Sequence, residues 1–450
     1  MKRLFLLLYC GLACLLPGLQ AQVTTSAMTG YVLDDKNQPL PGANVVATHL
    51  PSGTVYGVSS REDGGYTLPN MRVGGPYSVE ISFIGYEKQT LDGIYLKLGE
   101  KLRKDVTLKE STTELGEVKV VADANSTINS DRTGAATFIT SEQLRVMPTI
   151  SRSSADLTRI NPMAADGGSF AGRNDQFNNY SLDGSIFNNP FGLDAATPGG
   201  QTDAQPISLD ALDQISVAIA PYDVSQSGFT GASINAVTKS GTNEFTGSVF
   251  GFYRNKDMLG VKVEDTKVTR GDLKHLQTGF SLGGPLVKNK LFFFVNFELE
   301  RRSDLGSYFQ AARPGINWDA ANGLPLSPNV SRVQASDLDR VSFLLDSLYG
   351  YKTGPYENFK HNTNNQKASL KLDFNLDSRN TLTATFNWLD AFKEKPAHPS
   401  AIGRRGPDFL TLQFRNSGYR INNKIYSGFL EWKSIIGNKM ANKLTAGYRA

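Results

Sequence analysis

The residues whose types could do chemistry are scattered along this sequence of 450 residues. It contains four histidines with no close pair: His49, His275, His361 and His398. Both cysteines, Cys10 and Cys14, lie in an apolar run near the start, so the later chain has no thiol for a disulfide or a nucleophile. Neither an H-E-x-x-H zinc motif nor a phosphate-binding Gly-x-x-x-x-Gly-Lys loop occurs. The sequence therefore predicts no catalytic residue, no metal site and no cofactor.

One stretch, residues 174–184, is rich in side chains whose oxygens could bind a cation. It reads Asn174-Asp-Gln-Phe-Asn-Asn-Tyr-Ser-Leu-Asp183-Gly184, but it lacks the ligand spacing of a calcium loop. Metal binding is one interpretation. The other, which the spacing favours, is a polar loop of turn-forming Asn and Gly.

The segment that must position this stretch, residues 131–241, has the pattern of a small α+β domain. Thr140 and Gln143 form a capping box, which predicts a helix that ends at Pro148. The other predicted elements are strands at 136–139, 215–220 and 234–239 and helices at 154–160 and 208–214. Two loop motifs lie between these elements: Gly172-Arg173-Asn174 and Tyr180-Ser-Leu-Asp183-Gly184.

Before this domain, residues 22–110 carry about six short strands separated by turns, which is typical of a β-sandwich. Three pieces resemble the carboxypeptidase regulatory-like domain, an immunoglobulin-like module: residues 38–43, 62–66 and 83–86. The resemblance implies a fold and not peptidase activity, because His49 is the segment's one histidine. An exported enzyme built on this module is an alternative that metal content and hydrolytic activity would test.

The start of the chain predicts a secretory signal peptide over residues 1–21. A basic start precedes an apolar run at residues 4–16, and residues 19–21 fit a cleavage site. A lipoprotein signal at Cys14 is the alternative, but Gly11 fits poorly three residues before the cysteine. Export is compatible with the periplasm, secretion or an outer-membrane β-barrel. The 47 basic and 43 acidic residues nearly balance, which gives no reason to expect nucleic acid.

From residue 242 onward, polar and apolar residues alternate with a period of two. Seven strands are predicted, at residues 243–255, 273–285, 290–301, 365–376, 379–390, 421–436 and 440–450. Alternation alone fits any half-buried sheet. The connections between these strands alternate long and short, however, as in an outer-membrane barrel with short turns at one end and long loops at the other. The sequence therefore predicts the first part of a transmembrane antiparallel β-barrel over residues 242–450.

The order of the predicted strands, helices and loop motifs over residues 131–241 resembles that in the plug domain of TonB-dependent outer-membrane receptors. The whole chain is similar to the Oar-like group of these receptors. The resemblance implies a plug motif of Gly172, Arg173, Asn174, Asp183 and Gly184. It also implies a TonB box in the segment 111–130, at Glu117, Val118, Lys119, Val120 and Val121, because an extended β-prone peptide can add to a partner's sheet edge. A last strand of the sandwich or a plain linker are the other interpretations.

The same resemblance implies a mainly β protein of the cell outer membrane, with its sandwich in the periplasm. Its implied partners are the inner-membrane TonB complex, outer-membrane lipid, a substrate (siderophore, glycan, peptide or protein) and a surface lipoprotein. The implied function is uptake through a plug-gated barrel. An outer-membrane binding or adhesion protein whose plug-like domain never opens is the alternative.

Two further expectations can be compared with the structure. We expect Gly172-Arg173-Asn174 to lie in the plug core or against the barrel wall, with Asp183 as partner of Arg173, because buried arginines are usually paired. We also expect the chain to be a truncated portion of a longer receptor. A plugged barrel of 22 strands needs roughly 220 residues for its strands alone, whereas about seven strands fit after residue 242.

Overall fold

The computed structural model describes residues 23–111, 118–121, 136–147, 149, 152–165, 168–189, 197–220, 228–264, 266–267, 271–315, 318–319, 324–325, 329–397, 407–437 and 440–450. The predicted signal peptide, Glu117 and the predicted linker after Val121 lie outside these residues. Of residues 118–121 the backbone is described.

The predicted N-terminal sandwich is confirmed. Its strands are Ser26–Asp34 (β1), Asn44–His49 (β2), Thr54–Ser59 (β3), Gly65–Met71 (β4), Gly74–Ser82 (β5), Gln89–Leu96 (β6), Lys101–Arg103 (β7) and Val106–Leu108 (β8). One sheet has the order β4-β1-β7, with β8 also on β1. The other has the order β3-β2-β5-β6 and continues into Val118–Val121 (β9). Alternate residues of both sheets, such as Met28, Leu68, Val79 and Ile81, are fully buried between them.

The next domain is built on a five-stranded sheet. Its strands are Ala136–Ile139 (β10), Asn179–Leu182 (β11), Ser185–Ile186 (β12), Leu212–Ala218 (β13) and Ser233–Thr238 (β14), in the order β10-β13-β14-β11-β12. Every residue of the central strand β14 is buried. The domain also has two short helices, Ser141–Val146 and Ser154–Thr158; the first contacts β13 and begins with the predicted capping box of Thr140 and Gln143. We call this domain the plug.

The predicted helix at residues 208–214 is wrong. Ser208 caps a single 3-10 turn, Leu209–Ala211, by accepting a hydrogen bond from the Asp210 amide. The chain then enters β13 at Leu212, because residues from Leu212 on find strand partners in β14. Backbone pairing with two neighbours in the sheet outweighs the local helix signal at this position.

The remaining strands are Thr246–Asn255 (β15), Lys262–Val263 (β16), Thr266–Lys267 (β17), Leu273–Val287 (β18), Leu291–Leu305 (β19), Gln310–Ala312 (β20), Trp318–Asp319 (β21), Leu324–Pro325 (β22), Val330–Gln334 (β23), Lys360–Asn375 (β24), Asn380–Lys395 (β25), Tyr419–Ile436 (β26) and Met440–Arg449 (β27). The seven long ones form an antiparallel sheet in the order β15-β18-β19-β24-β25-β26-β27, which we call the wall. The seven predicted strands are thus confirmed. Within the described residues β15 and β27 each pair on one side, so the wall is an open sheet.

The wall buries its polar face. In β24 the inward residues Asn365, Lys367, Ser369 and Asp373 are each less than 5% exposed, whereas the outward Leu370 is 41% exposed. Neighbouring strands show the same alternation, with Phe386 outward and Asn387 inward on β25. This polarity is the reverse of that in a water-soluble sheet, and it is the polarity of a barrel wall with lipid outside.

The connections alternate as predicted, so the wall has a short-turn end and a long-loop end. Two long loops, residues 306–359 and 396–418, are joined to each other at the long-loop end. The Arg332 amide donates to the Phe409 carbonyl at 2.8 Å, and the Arg415 amide donates to the Pro355 carbonyl at 2.8 Å. The first loop also carries the helix Ala335–Tyr349. Among the described residues, no helix has the length and apolar character needed to cross a bilayer.

Candidate functional site

The plug motif forms two different structures. Asp183 and Gly184 make the tight turn between β11 and β12, with φ values of 46° and 80°. Asp-Gly suits such a turn because both central residues need positive φ. The turn directs the Asp183 carboxylate to the end of β14, where it accepts from the Thr238 amide at 3.0 Å and from the Thr238 hydroxyl at 2.8 Å.

The other half of the motif, Gly172-Arg173-Asn174, is exposed. Gly172, with φ 75°, lies in a turn closed by backbone hydrogen bonds between Phe170 and Arg173, and the ring of Phe170 is the buried part of this turn. Asn174 caps the 3-10 turn Asp175–Phe177. The expectation that these residues lie in the plug core is therefore wrong, and in the described chain no ion pair joins Arg173 to Asp183. The other alternative, that they lie against the barrel wall, stays a prediction.

Asp183 instead links the plug to the wall. The Lys371 ammonium on β24 lies 3.7 Å from the Asp183 carboxylate and donates to the Thr238 carbonyl at 3.0 Å. Both charged side chains are about nine-tenths buried. A single lysine thus contacts the β11–β12 turn and the end of β14 together.

A second polar link centres on Glu298 of β19, whose side chain is 1% exposed. Its carboxylate accepts from the Ser208 hydroxyl of the plug at 2.5 Å and from the Gln277 amide of the wall at 2.9 Å. The Lys367 ammonium lies 3.0 Å away and supplies the balancing charge. A buried carboxylate needs such partners, because an unpaired charge away from water is costly.

The sandwich also contacts both other domains, at the short-turn end of the wall. Arg72 lies 3.2 Å from Asp373 on β24, and Thr24 donates to Glu431 on β26 at 2.8 Å. The Gln214 side chain of β13 exchanges two hydrogen bonds with the sandwich backbone, accepting from the Leu98 amide at 3.0 Å and donating to the Leu96 carbonyl at 3.3 Å. The three domains therefore meet at one junction.

The junction contains a cavity of about 650 Å³ that is open to water and is lined by side chains of both charges. Desolvation raises the pKa of the Asp213 carboxyl, against the opposing influence of Lys371, Lys239 and Arg72. Desolvation also lowers the pKa of Lys239. Arg72 keeps its proton, because Asp373 raises its pKa despite burial. Because water can reach this cavity, the charged groups that hold the domains together at the junction can be hydrated when the domains separate.

Within the described residues no group of three or more His, Cys, Asp or Glu could hold a metal ion. Residues 279–283 fit the G-x-S-x-G pattern of a nucleophile elbow, but they lie in the middle of β18 and not in a strand-to-helix turn. The Ser281 hydroxyl bonds to Ser248 of the neighbouring strand.

Sequence reasoning missed the contact residues Arg72, Gln214, Glu298 and Lys371. Lys371 could have been found from the sequence, because three charged residues, Lys367, Lys371 and Asp373, lie on the inward face of β24. Asp183 was found, but its predicted partner was not the one observed. Glu117 lies outside the described residues. The backbone of the other four residues of the predicted TonB box, Val118–Val121, forms β9.

Residues 237–450 match the family described as "Outer membrane beta barrel domain", and residues 27–109 match the "Carboxypeptidase regulatory-like domain". Over 306 residues the chain is 29% identical to the TonB-dependent transporter Oar of Myxococcus xanthus. That alignment covers 63% of this chain and 28% of the relative, so the chain spans about 28% of the length of this curated relative.

Two solved structures are similar over 70% of this chain. One is the outer membrane transporter YddB of Escherichia coli, with 14% identity, a TM-score of 0.47 and 38% of its chain covered. The other is P. aeruginosa FpvA in complex with a heterologous pyoverdine, with 13% identity, a TM-score of 0.42 and 34% of its chain covered.

Proposed function

We propose, on the premise that this chain is a homologue of the TonB-dependent transporter Oar, that it takes up a substrate across the outer membrane through a plug-gated β-barrel. The observation that carries the proposal is the wall's buried polar face, with the plug seated on it. Its outward face carries exposed apolar side chains such as Leu370 and Phe386, as a lipid-facing surface requires.

The plug–wall contact has an apolar part, in which Phe294, Leu389 and Phe429 of the wall join the plug core, and a polar part. The polar part suits a region that must move. Asp183–Lys371 and Ser208–Glu298 are polar pairs, and water can replace each partner once the surfaces separate. We infer that displacement of the plug breaks these pairs.

We propose that TonB binds by strand addition to the segment Glu117, Val118, Lys119, Val120 and Val121. Through this segment TonB would deliver the energy for transport. In this arrangement the sandwich lies in the periplasm, where TonB acts, and the two joined long loops face the cell surface. The substrate and a surface lipoprotein partner would then contact the long-loop end.

A proline substitution in this segment tests the assignment. Proline cannot donate a ladder hydrogen bond, so Val118→Pro should abolish binding of the host's TonB periplasmic domain and growth on the transported nutrient. Ser126→Pro, in the predicted linker, is the matched control and should keep both. A growth screen of strains with and without the gene identifies the nutrient. Parental uptake in Val118→Pro would overturn the assignment.

Deletion of residues 117–121 distinguishes transport from the adhesion alternative. A transporter should lose uptake and keep binding of its substrate at the cell surface. If the deletion leaves every phenotype of the gene unchanged, the protein acts as a surface binding or adhesion protein whose plug does not open.

A further inference from the structure

The proposed TonB-binding segment is not separate from the sandwich in this structure. Residues 118–121 form β9, the outermost strand of the sheet β3-β2-β5-β6-β9. The pairing with β6 is parallel, with Gln89 opposite Val118 and Asp92 opposite Val121. The segment therefore has one edge on the sandwich and, among the described residues, no strand on its other edge.

We propose that the sandwich and residues 118–121 together form one composite docking sheet, to whose outer edge a TonB strand adds while the inner edge stays on β6. This inference rests on the proposed function, because it takes residues 117–121 as the TonB-binding segment. It assigns the sandwich a direct role in TonB recognition and makes it more than a spacer.

The argument begins with the hydrogen-bonding capacity of a strand. A strand at the edge of a sheet presents a row of unpaired backbone groups, which is the template used in strand addition. Addition to the outer edge of β9 keeps the register pairs with β6. Exchange of β6 for TonB would first have to break them. Addition is therefore the route that loses no existing contact.

The extended conformation that residues 118–121 already have before binding is a second reason to expect strand addition at β9. A free peptide must lose backbone entropy when it joins a sheet, whereas a segment already extended on β6 has lost it in advance. The platform is firm, because β6 pairs with β5 and its Ile94 and Leu96 are buried in the sandwich core. TonB would thus meet a strand that is already in binding conformation.

The position of β6 also connects the docking sheet to the plug. Leu96, the last residue of β6, accepts from the Gln214 side chain of β13, and the same side chain accepts from the Leu98 amide. A pull applied to the composite sheet therefore reaches the plug by two routes. One is the chain that follows Val121, and the other passes through β6 to Gln214.

A disulfide between the two strands tests the proposal on the full 450-residue chain, purified in detergent. Gln89→Cys with Val118→Cys joins two register partners, and Cys10 and Cys14 are replaced by Ser so that the engineered pair supplies the only thiols. The probe is the host's TonB periplasmic domain. Asn44→Cys with Ser59→Cys, register partners in β2 and β3, is the matched control within the same sheet.

If the docking sheet is composite, the oxidised and reduced forms of the Gln89–Val118 pair should bind the TonB domain with dissociation constants within about threefold of each other. A loss of tenfold or more on oxidation, recovered on reduction and absent in the control pair, would show that β9 must leave β6. That result overturns this inference and leaves the proposed function intact. No binding by the unmodified chain overturns both.

Hydrogen exchange on the unmodified chain provides a second measurement that requires no substitution. With β9 held on β6, the peptide covering residues 89–92 should keep or increase its protection when the TonB domain is added. Faster exchange in that peptide on binding would mean that TonB strips β9 from the sandwich, and it would contradict the proposal.

Discussion

The sandwich and the plug bury their cores in different ways. The sandwich core is made of its own residues, from Met28 to Leu108. The plug core is shared, because wall residues Phe294, Leu389 and Phe429 belong to the same buried cluster as Leu182 and Ile215 of the plug. We therefore expect the sandwich to fold by itself, whereas the plug depends on the wall for part of its apolar burial.

The two regions also differ in the role of charge. Inside the sandwich the fully buried side chains are mainly apolar or aromatic, and His49 is a buried titratable group there. At the plug–wall boundary, Glu298, Lys367, Asp183 and Lys371 are buried as partners. Removing one charged partner there should lower the free energy of unfolding more than removing a similar volume of apolar side chain from the sandwich.

The largest effect is expected from Lys367→Met. This change leaves Glu298 buried without its balancing cation, which should cost about 3–5 kcal/mol. Denaturant unfolding of the chain in detergent, followed by fluorescence of the wall tryptophans, measures it. Adding Glu298→Gln should recover most of the loss. A destabilisation below about 1 kcal/mol would remove the contrast between the two regions.

A core substitution in the sandwich should act on that domain alone. Ile81 is fully buried, and Ile81→Ala should destabilise the sandwich by about 3 kcal/mol through lost burial and a residual cavity. Limited proteolysis within residues 23–111 reports the sandwich, whereas the tryptophans at 318, 388 and 432 report the rest of the chain. A parallel change in both signals would show that the sandwich does not unfold independently.

The pH dependence of the sandwich should come from His49. Desolvation, with a smaller contribution from Arg72, lowers its pKa from 6.5 to about 3. Between these two pKa values His49 is protonated in the unfolded chain and neutral in the folded chain. The free energy of unfolding therefore falls as pH drops from 6.5 toward 3, by at most about 1.4 kcal/mol per pH unit. Thermal unfolding between about pH 7 and pH 4 should show this slope. His49→Asn, which can still bond to Ser52, should flatten it.

The smallest effect is expected from Arg173→Ala. The side chain is exposed, so the change should alter stability by less than about 0.5 kcal/mol. Asp183→Ala is the informative comparison, because it removes the contacts to Thr238 and Lys371 and should cost about 1–3 kcal/mol. Equal effects of the two variants would contradict the different placement of the two halves of the plug motif.

Periodicity predicted the wall well because the signal is local and repeated. Strands such as β24 alternate at nearly every position, so the predicted strand at 365–376 overlaps most of Lys360–Asn375. The predicted helix at 208–214 failed because pairing with β14, far along the chain, decides that segment. The partner of Asp183 was inaccessible for the same reason, since Lys371 comes near only through the seating of the plug on β24. The TonB box at residues 117–121 stays a prediction. Sequence alone could not decide whether this segment joins the sandwich, because its pairing with β6 is a contact between residues far apart along the chain.

The hydrogen bonds between the two long loops limit how one loop could be exchanged without the other between relatives. Residues 331–332 bond to Phe409, and Thr353 and Pro355 bond to Asn416 and Arg415, so each loop supplies backbone partners to the other. A graft of residues 306–359 alone would leave these groups without their native acceptors and donors. Under the proposed function, recognition of a new substrate should therefore be transplanted, or inherited by recombination, as the pair of loops together.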